Sequence, residues 1–311
     1  MRNEVLLSVK NLKVSYLTRS GLIKALHGVS FEVKRGETLG LTGESGCGKT
    51  TTALAILRLL SNAIIEGQVL FKGEDLLKKT EGELRLIRGR GIAMIFQELT
   101  GLNPVLKIGD QIREVIKIHR SSLDPEMLLH LLRLPEPRFL LNCYPHQLSS
   151  GMRQRVMIAL AIASKPELVI ADEPTSMLDA TVQLQILNLL KQLKKELELS
   201  MLLISHDLNM LMQICDKIAF MHVGKLIELC YIDEEKLHPY VRFLLNISSS
   251  NLEEISSSDL IGDINNKLQG TSKGCFYQKL CKYAKPICYV YEPEFREVKP
   301  GHFLSCHAKG Y

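Results

Sequence analysis

Residues 37–60 read ETLGLTGESGCGKTTTALAILRLL. Up to Gly43 the stretch is short and apolar, as a buried strand is, and TTALAILRLL after it reads as an apolar helix. Between them, Gly43-Glu44-Ser45-Gly46-Cys47-Gly48-Lys49-Thr50 fits the spacing GxxxxGK[ST]. Glycines there let backbone N–H groups converge on an anion at the start of a helix whose dipole also favours negative charge. In such a loop Lys49 reaches the β- and γ-phosphates of a nucleotide, and the Thr50 hydroxyl ligates Mg²⁺. The motif specifies a phosphate-binding loop and an α/β core, and by itself no more than that.

Working outward, residues 6–17 (LLSVKNLKVSYL) and 28–33 (GVSFEV) alternate apolar and polar positions, which predicts antiparallel strands ahead of the loop. A second unit follows: ELVIAD (167–172), then an amphipathic helix over 182–197, then SMLLISHD (200–207). Strand, helix and strand at this spacing predict a parallel sheet covered by helices. Between the halves, about residues 98–163, helical periodicity dominates, which predicts an inserted helical subdomain. The Ser-rich stretch NISSSNLEEISSSD (246–259) reads as a linker. The expected organisation is therefore an α/β phosphate-loop domain over 1–245, then a linker and a small Cys-bearing extension over 246–311.

The second candidate site is the end of ELVIAD. Asp172, at a strand's carboxyl end beside a phosphate loop, suits Mg²⁺, and the next carboxylate, Glu173, suits activation of a water for in-line attack on the γ-phosphate. Composition limits the rest. The net charge of +5 is mild and Lys and Arg are dispersed, so nucleic acid is not an expected partner. No apolar run approaches bilayer-spanning length and no signal-peptide core opens the chain, so the expected place is the side where the protein is made. Four of the eight cysteines are scattered and four cluster near the C-terminus, which points to reduced thiols and a metal site rather than a disulfide scaffold.

The remaining motifs, taken in order, resemble the ATP-binding subunits of ABC transporters. Gln97 follows GIAMIF as the family's Q-loop glutamine does, Leu148-Ser149-Ser150-Gly151-Met152 is similar to the LSGGQ signature, and Ser176-Met177-Leu178-Asp179 resembles the D-loop. His206 resembles the switch histidine, and Tyr16 lies where the family places an aromatic residue against adenine. The resemblance implies catalytic roles for Glu173, His206 and Gln97. It implies ATP contacts from Tyr16, Gly43, Ser45, Gly46, Cys47, Gly48, Lys49, Thr50, Thr51 and Asp172, and Mg²⁺ ligation by Thr50, Gln97 and Asp172. It further implies that Ser149, Gly151 and Asp179 complete the ATP site of a second ATPase subunit bound head to tail.

GLNPVLKIGDQI (101–112), the long run 144–175, LHPYVRFLL (237–245) and the block 274–307 narrow the resemblance to oligopeptide, dipeptide and nickel importers. That implies two transmembrane permease subunits, an extracytoplasmic substrate-binding protein and a peripheral place on the cytoplasmic membrane face. Peptide is the expected cargo, with nickel or a metal chelate as the alternative, and a non-transport ABC ATPase as the more distant one. Cys275, Cys281, Cys288 and Cys306 resemble the iron–sulfur site of some members, so a [4Fe–4S] cluster is expected there, with Zn²⁺ or plain reduced thiols as alternatives. Ser150, Met152 and Met177 depart from the family pattern, which leads to the expectation of a heterodimer with unequal ATP sites.

Overall fold

The structure, a computed structural model, describes residues 4–19, 21–97, 101–249 and 274–308. Two long strands, β1 (Val5–Thr18) and β2 (Gly21–Lys34), pair antiparallel with each other. With β4 (Ala63–Phe71) and β5 (Glu74–Asp75) they form a four-stranded sheet ordered β2-β1-β4-β5. The alternation seen in the sequence buries Leu7 and Val9, and after an irregularity between Val9 and Leu12 it resumes with Leu12 and Val14 in the same core.

The second sheet has eight strands. Its centre is parallel: β9 (Lys217–His222), β3 (Thr38–Gly43), β8 (Ser200–Ile204), β7 (Leu168–Asp172) and β6 (Ile92–Ile95). These strands are short, apolar and buried on both faces, as parallel strands between two layers must be. Leu168, Ile170, Leu202 and Ile204 pack with α1 (Lys49–Ile56) and the antiparallel sheet, while Val169, Ala171, Met201 and Leu203 face the opposite layer. That layer contains α6 (Ser150–Ile162), α7 (Ala180–Glu196) and α8 (Leu208–Ile214). Between β6 and β7 the chain forms α3 (Ile108–His119), α4 (Pro125–Leu131), α5 (Pro137–Leu140) and α6, within the range where helical periodicity dominates. Among the described residues, no helix is long and apolar enough to cross a membrane.

At the far edge, β10 (Lys225–Tyr231) pairs antiparallel with β9, and α9 (Pro239–Ser249) follows it. The amphipathic pattern that begins at Pro239 carries the helix to Ser249, four residues into the stretch whose Ser-rich composition reads as linker; the rest of that stretch lies outside the described residues. After it, β11 (Arg296–Lys299) and β12 (His302–Leu304) form a hairpin, and β12 pairs with β10. The C-terminal segment therefore continues the central sheet.

A buried polar network makes that junction. The His302 ring, with no solvent exposure, lies 2.9 Å by Nε2 from Glu228 Oε1 and 3.1 Å by Nδ1 from Glu234 Oε2. Of these two contacts, the one through Nε2 has hydrogen-bond geometry. Glu228 also accepts from the backbone N–H groups of Leu237 (2.6 Å) and His238 (3.0 Å). Lys236 Nζ, buried, donates to the carbonyls of Tyr231, Ile232 and Glu234. Glu228, Cys230 and His302 bring one ligand atom each within 4.8 Å of one another, but the Glu228 carboxylate is already engaged by His302 and two backbone N–H groups, so the group reads as a structural hydrogen-bond network. Removing one partner of a buried hydrogen bond leaves the other group less satisfied, at about 1–3 kcal/mol and more for a carboxylate. Replacing His302 with Ala is therefore expected to free the β11–β12 hairpin, read as loss of amide-exchange protection over residues 296–304; protection retained in H302A would refute the latch.

Candidate nucleotide site

The parallel register sets one row of strand ends side by side. Leu41 of β3 pairs with Ile204 of β8 and Ala219 of β9, and Ala171 of β7 pairs with Leu203. Gly43, Asp172, Glu173, His206 and His222 consequently emerge at one edge, where ligands bind in open α/β sheets. The 43–50 loop leaves β3 here and enters α1 with Gly48 as the left-handed residue before the helix (φ 105°). Gly43 is required by crowding as well as conformation: a Cβ there would stand 2.1 Å from the Met221 carbonyl, at φ 149°.

Within the loop, Lys49 folds back, with Nζ donating to the carbonyls of Gly43 (2.7 Å) and Glu44 (2.8 Å). Ser45 and Gly46 are exposed, and a Cβ at Gly46 would meet open space. Cys47 is buried behind the loop, where burial pushes its thiol up, so only its backbone is available to a phosphate. Tyr16 of β1 reaches the first turn of α1, its hydroxyl 3.3 Å from Thr51 Oγ1, so an aromatic ring stands beside the cradle.

Asp172 ends β7 almost fully buried, and its Oδ1 has no hydrogen-bond partner among the described residues. Burial pushes its carboxyl up, opposed by a hydrogen bond from Thr50 and the charge of Lys49. An orphaned buried carboxylate oxygen beside the Thr50 hydroxyl fits a divalent cation, whose charge would offset that burial. Gln97, exposed two residues beyond the Ile95–Ala171 pairing, lies at the adjoining strand end.

Glu173 adopts a left-handed backbone (φ 48°), a conformation that costs a non-glycine residue about 1–2 kcal/mol. Its N–H donates to Ile204 O at 2.9 Å, which holds that turn against β8. Both carboxylate oxygens lie 2.9 Å from His206 Nδ1, and Oε1 also accepts the His206 backbone N–H at 3.2 Å. Sequence order thus becomes spatial pairing: Glu173 and His206, 33 residues apart, form one acid–base unit.

Ser149, Gly151 and Asp179 lie apart from that unit, as neighbours of one another. Ser149 Oγ accepts from Met152 N (3.3 Å) and begins α6; Asp179 Oδ1 accepts from Val182 N (3.0 Å) and begins α7. A Cβ on Gly151 would lie 2.8 Å from Val182 Cγ1, so this glycine is needed for α6 to approach α7. Gln183 Nε2 donates to Thr175 O and Leu178 O, both at 3.1 Å, and ties the intervening loop to α7. Ser149, Asp179 and Met177 are exposed and form a surface edge.

The ABC transporter family profile matches residues 26–176. The chain is 40% identical to a probable peptide ABC transporter ATP-binding protein of Sinorhizobium fredii, over 97% of this chain and 95% of that protein. The oligopeptide transport ATP-binding protein OppD of Escherichia coli is 39% identical, over 97% and 93%. The chain belongs to the ABC transporter ATP-binding proteins. The dipeptide transport ATP-binding protein DppD of Bacillus subtilis is 38% identical to this ABC ATPase, over 97% and 94%. A bacterial ABC transporter cassette solved as a dimer superposes with a TM-score of 0.65 at 29% identity, covering 74% of this chain and all of that one. The same cassette in a post-hydrolysis state with ADP and phosphate gives the same score, identity and coverage.

Near the C-terminus, Cys275, Cys281, Cys288 and Cys306 fall close enough together for Cys281, Cys288 and Cys306 to raise the Cys275 thiol, after burial, to about 12. Cys275 N donates to Cys288 O (2.8 Å), and Lys285 N to Cys288 Sγ (3.4 Å). Among the described residues, no three of these thiols come within 4.8 Å of one another. Tetrahedral Zn²⁺ with bonds of about 2.3 Å would require sulfurs about 3.8 Å apart, closer than this arrangement supplies.

Sequence reasoning missed Glu228, Glu234 and His302, and also His222, which faces the phosphate loop through Glu44. A histidine ending an apolar strand carries no local signature, because its partners come from distant segments.

The His206–Glu173 pair has a pH signature. Its hydrogen bond to Glu173 holds the imidazole above its ordinary value, so the imidazolium–carboxylate pair is complete below the free-imidazole pKa and is lost as pH climbs through the raised one. In nucleotide-free protein, the His206 ring followed by NMR should titrate above an ordinary histidine, and Glu173→Gln should bring the midpoint down. An unchanged midpoint would mean that the pair does not form in solution.

Proposed function

We propose that this ABC ATPase is the energising subunit of a membrane importer for di- and oligopeptides, bound peripherally at the cytoplasmic face. What carries the reading is the Glu173–His206 unit and the orphaned Asp172 oxygen beside the phosphate loop, in a chain 38–40% identical to peptide-transport ATP-binding proteins along 97% of its length.

In this reading the backbone of residues 43–51 and Lys49 cradle the phosphates, and Tyr16 stacks on the base. Glu173 takes a proton from the attacking water, and His206, which holds Glu173 in nucleotide-free protein, turns toward the γ-phosphate and helps position that water. Mg²⁺, when bound, would be held by Thr50 and Asp172 with Gln97 beside them, and would neutralise charge on the β- and γ-phosphates. Ser149, Gly151 and Asp179 serve the ATP held by a second ATPase subunit. The exposed edge of cap residues supports this, because Ser149 and Asp179 face solvent at the starts of α6 and α7. Ser150, Met152 and Met177 lie on that edge, and their departure from the family pattern favours a partner of different sequence.

A groove of about 290 Å³, lined by Met94, Phe96, Gly101, Val115, His119 and Met157, opens next to Gln97 and suits docking of the permease subunits. A substrate-binding protein would deliver peptide on the far side. The four C-terminal thiols are the residues that would hold a [4Fe–4S] cluster, with Zn²⁺ or plain reduced thiols as the alternatives.

The test is uptake of labelled di- and oligopeptides, with nickel in parallel, in cells whose sole copy carries Glu173→Gln. Peptide uptake is expected to disappear with nickel unaffected, and purified E173Q to lose about 10²–10⁴-fold in hydrolysis while retaining ATP binding. Loss of nickel uptake alone would move the cargo to metal. No change in either would remove the import reading.

A further inference from the structure

The β9–β10 hairpin touches the phosphate loop on one side and the C-terminal segment on the other. Its two-residue turn, Val223-Gly224, has positive φ at both positions (40° and 73°), a tight geometry suited to the strand twist. Gly224 N donates to Cys47 O in the phosphate loop at 2.8 Å, and His27 N donates to Gly224 O at 2.9 Å. His222 is the last residue of β9 before that turn, 7% exposed, with Nδ1 facing Glu44 Oε2 of the loop at 3.7 Å. Glu44 in turn supplies one of the two carbonyls that hold Lys49 Nζ.

A face of the His222 ring is covered by Phe276, which follows Cys275 in the C-terminal segment. The two rings stack at 4.0 Å between centroids with an interplanar angle of 23°. Phe276 is also parallel to His238 (5.8 Å, 3°), while Tyr240 meets both His222 (5.5 Å, 66°) and Phe276 (5.4 Å, 88°) edge-on. Such ring pairs are attractive beyond the area they bury, so the His222 ring has its orientation fixed by a box built largely from outside the loop. Burial lowers the His222 pKa to about 4, so at neutral pH the ring is uncharged and one of its nitrogens carries a hydrogen. A separation of 3.7 Å is too long for a hydrogen bond and becomes one if the loop moves by a fraction of an ångström.

We propose that His222 is a positioning residue for the phosphate loop, that Phe276 holds it in place, and that the C-terminal segment thereby sets the affinity of the loop for ATP. The loop must release Lys49 from the Gly43 and Glu44 carbonyls to meet a phosphate. A donor that takes up the Glu44 side chain as the loop rearranges favours that released state. Both residues lie outside the 43–50 loop itself. This inference rests on the loop being the ATP site, so Lys49→Ala serves as the control for that reading.

The experiment is equilibrium binding of a fluorescent ATP analogue to the full-length chain, with thermal melting alongside. K49A should abolish binding; if it does not, the site reading itself is wrong. Phe276→Ala and His222→Ala should each weaken binding about tenfold. The double variant should be no weaker than either single one, because both act through one contact. His222→Asn, which keeps a neutral donor near the Nδ1 position but loses the stacked ring, should bind more tightly than H222A and less tightly than the parent. The inference is overturned if F276A and H222A lower the melting temperature but leave affinity within twofold. It is overturned equally if the two losses multiply in the double variant, or if H222N binds no better than H222A.

Discussion

The parallel pairing of β3 with β8 on one side and with β9 on the other is the constraint on which the rest of the molecule depends. Parallel strands in register end together, so every group that follows a strand here is delivered to the same edge. Gly43 closes β3 against the Met221 carbonyl of β9, Glu173 is anchored to Ile204 O of β8, and Ser205 N donates to Leu41 O of β3 at 3.2 Å. Shifting one strand by a residue would turn its side chains to the opposite layer and break each of these close approaches at once. The strands are apolar on both faces because both layers are packed, and that same double burial leaves little freedom for such a slip.

What could be read in advance follows from how local each signal is. The phosphate loop lies within eight consecutive residues, and its requirements are backbone requirements, so glycines at fixed spacing reveal it. The antiparallel strands, the parallel strands and the helical stretch between β6 and β7 were visible as periodicity. Asp172 and Glu173 were visible because they interrupt an apolar strand at its end. The facts that matter energetically around them were not: that Glu173 is left-handed, that His206 clasps it, and that Asp172 keeps an oxygen without a partner all depend on pairings between segments about thirty or more residues apart.

The same distinction explains the C-terminal segment. Its four cysteines are conspicuous by composition, and the sequence predicts a small extension that bears them. The contacts that attach the segment use other residues: β12 pairs with β10, and His302 enters between Glu228 and Glu234, 74 and 68 residues earlier. Nothing in the sequence near His302 separates it from a surface histidine. Ser149 and Asp179 teach the complementary lesson. Each is identified by a family motif, and each is also a helix cap with an ordinary structural duty, worth about 1 kcal/mol, that would keep it in place even without a nucleotide to contact.

β9 is where these two kinds of information meet. It borders β3, and so the phosphate loop, while β10 joins it to the hairpin carrying His302. A residue at the carboxyl end of β9 is therefore forced to touch both the loop and whatever packs on the sheet's outer half. Its side chain must be uncharged, because the place is buried, and flat enough to stack, because aromatic rings surround it. It must also carry a polar atom on the side that faces Glu44. Among side chains, neutral histidine meets all of these demands with a single ring: a π-face toward Phe276 and a nitrogen toward the loop. The position of His222 follows from the sheet order, and its chemistry from being the shared wall of two sites.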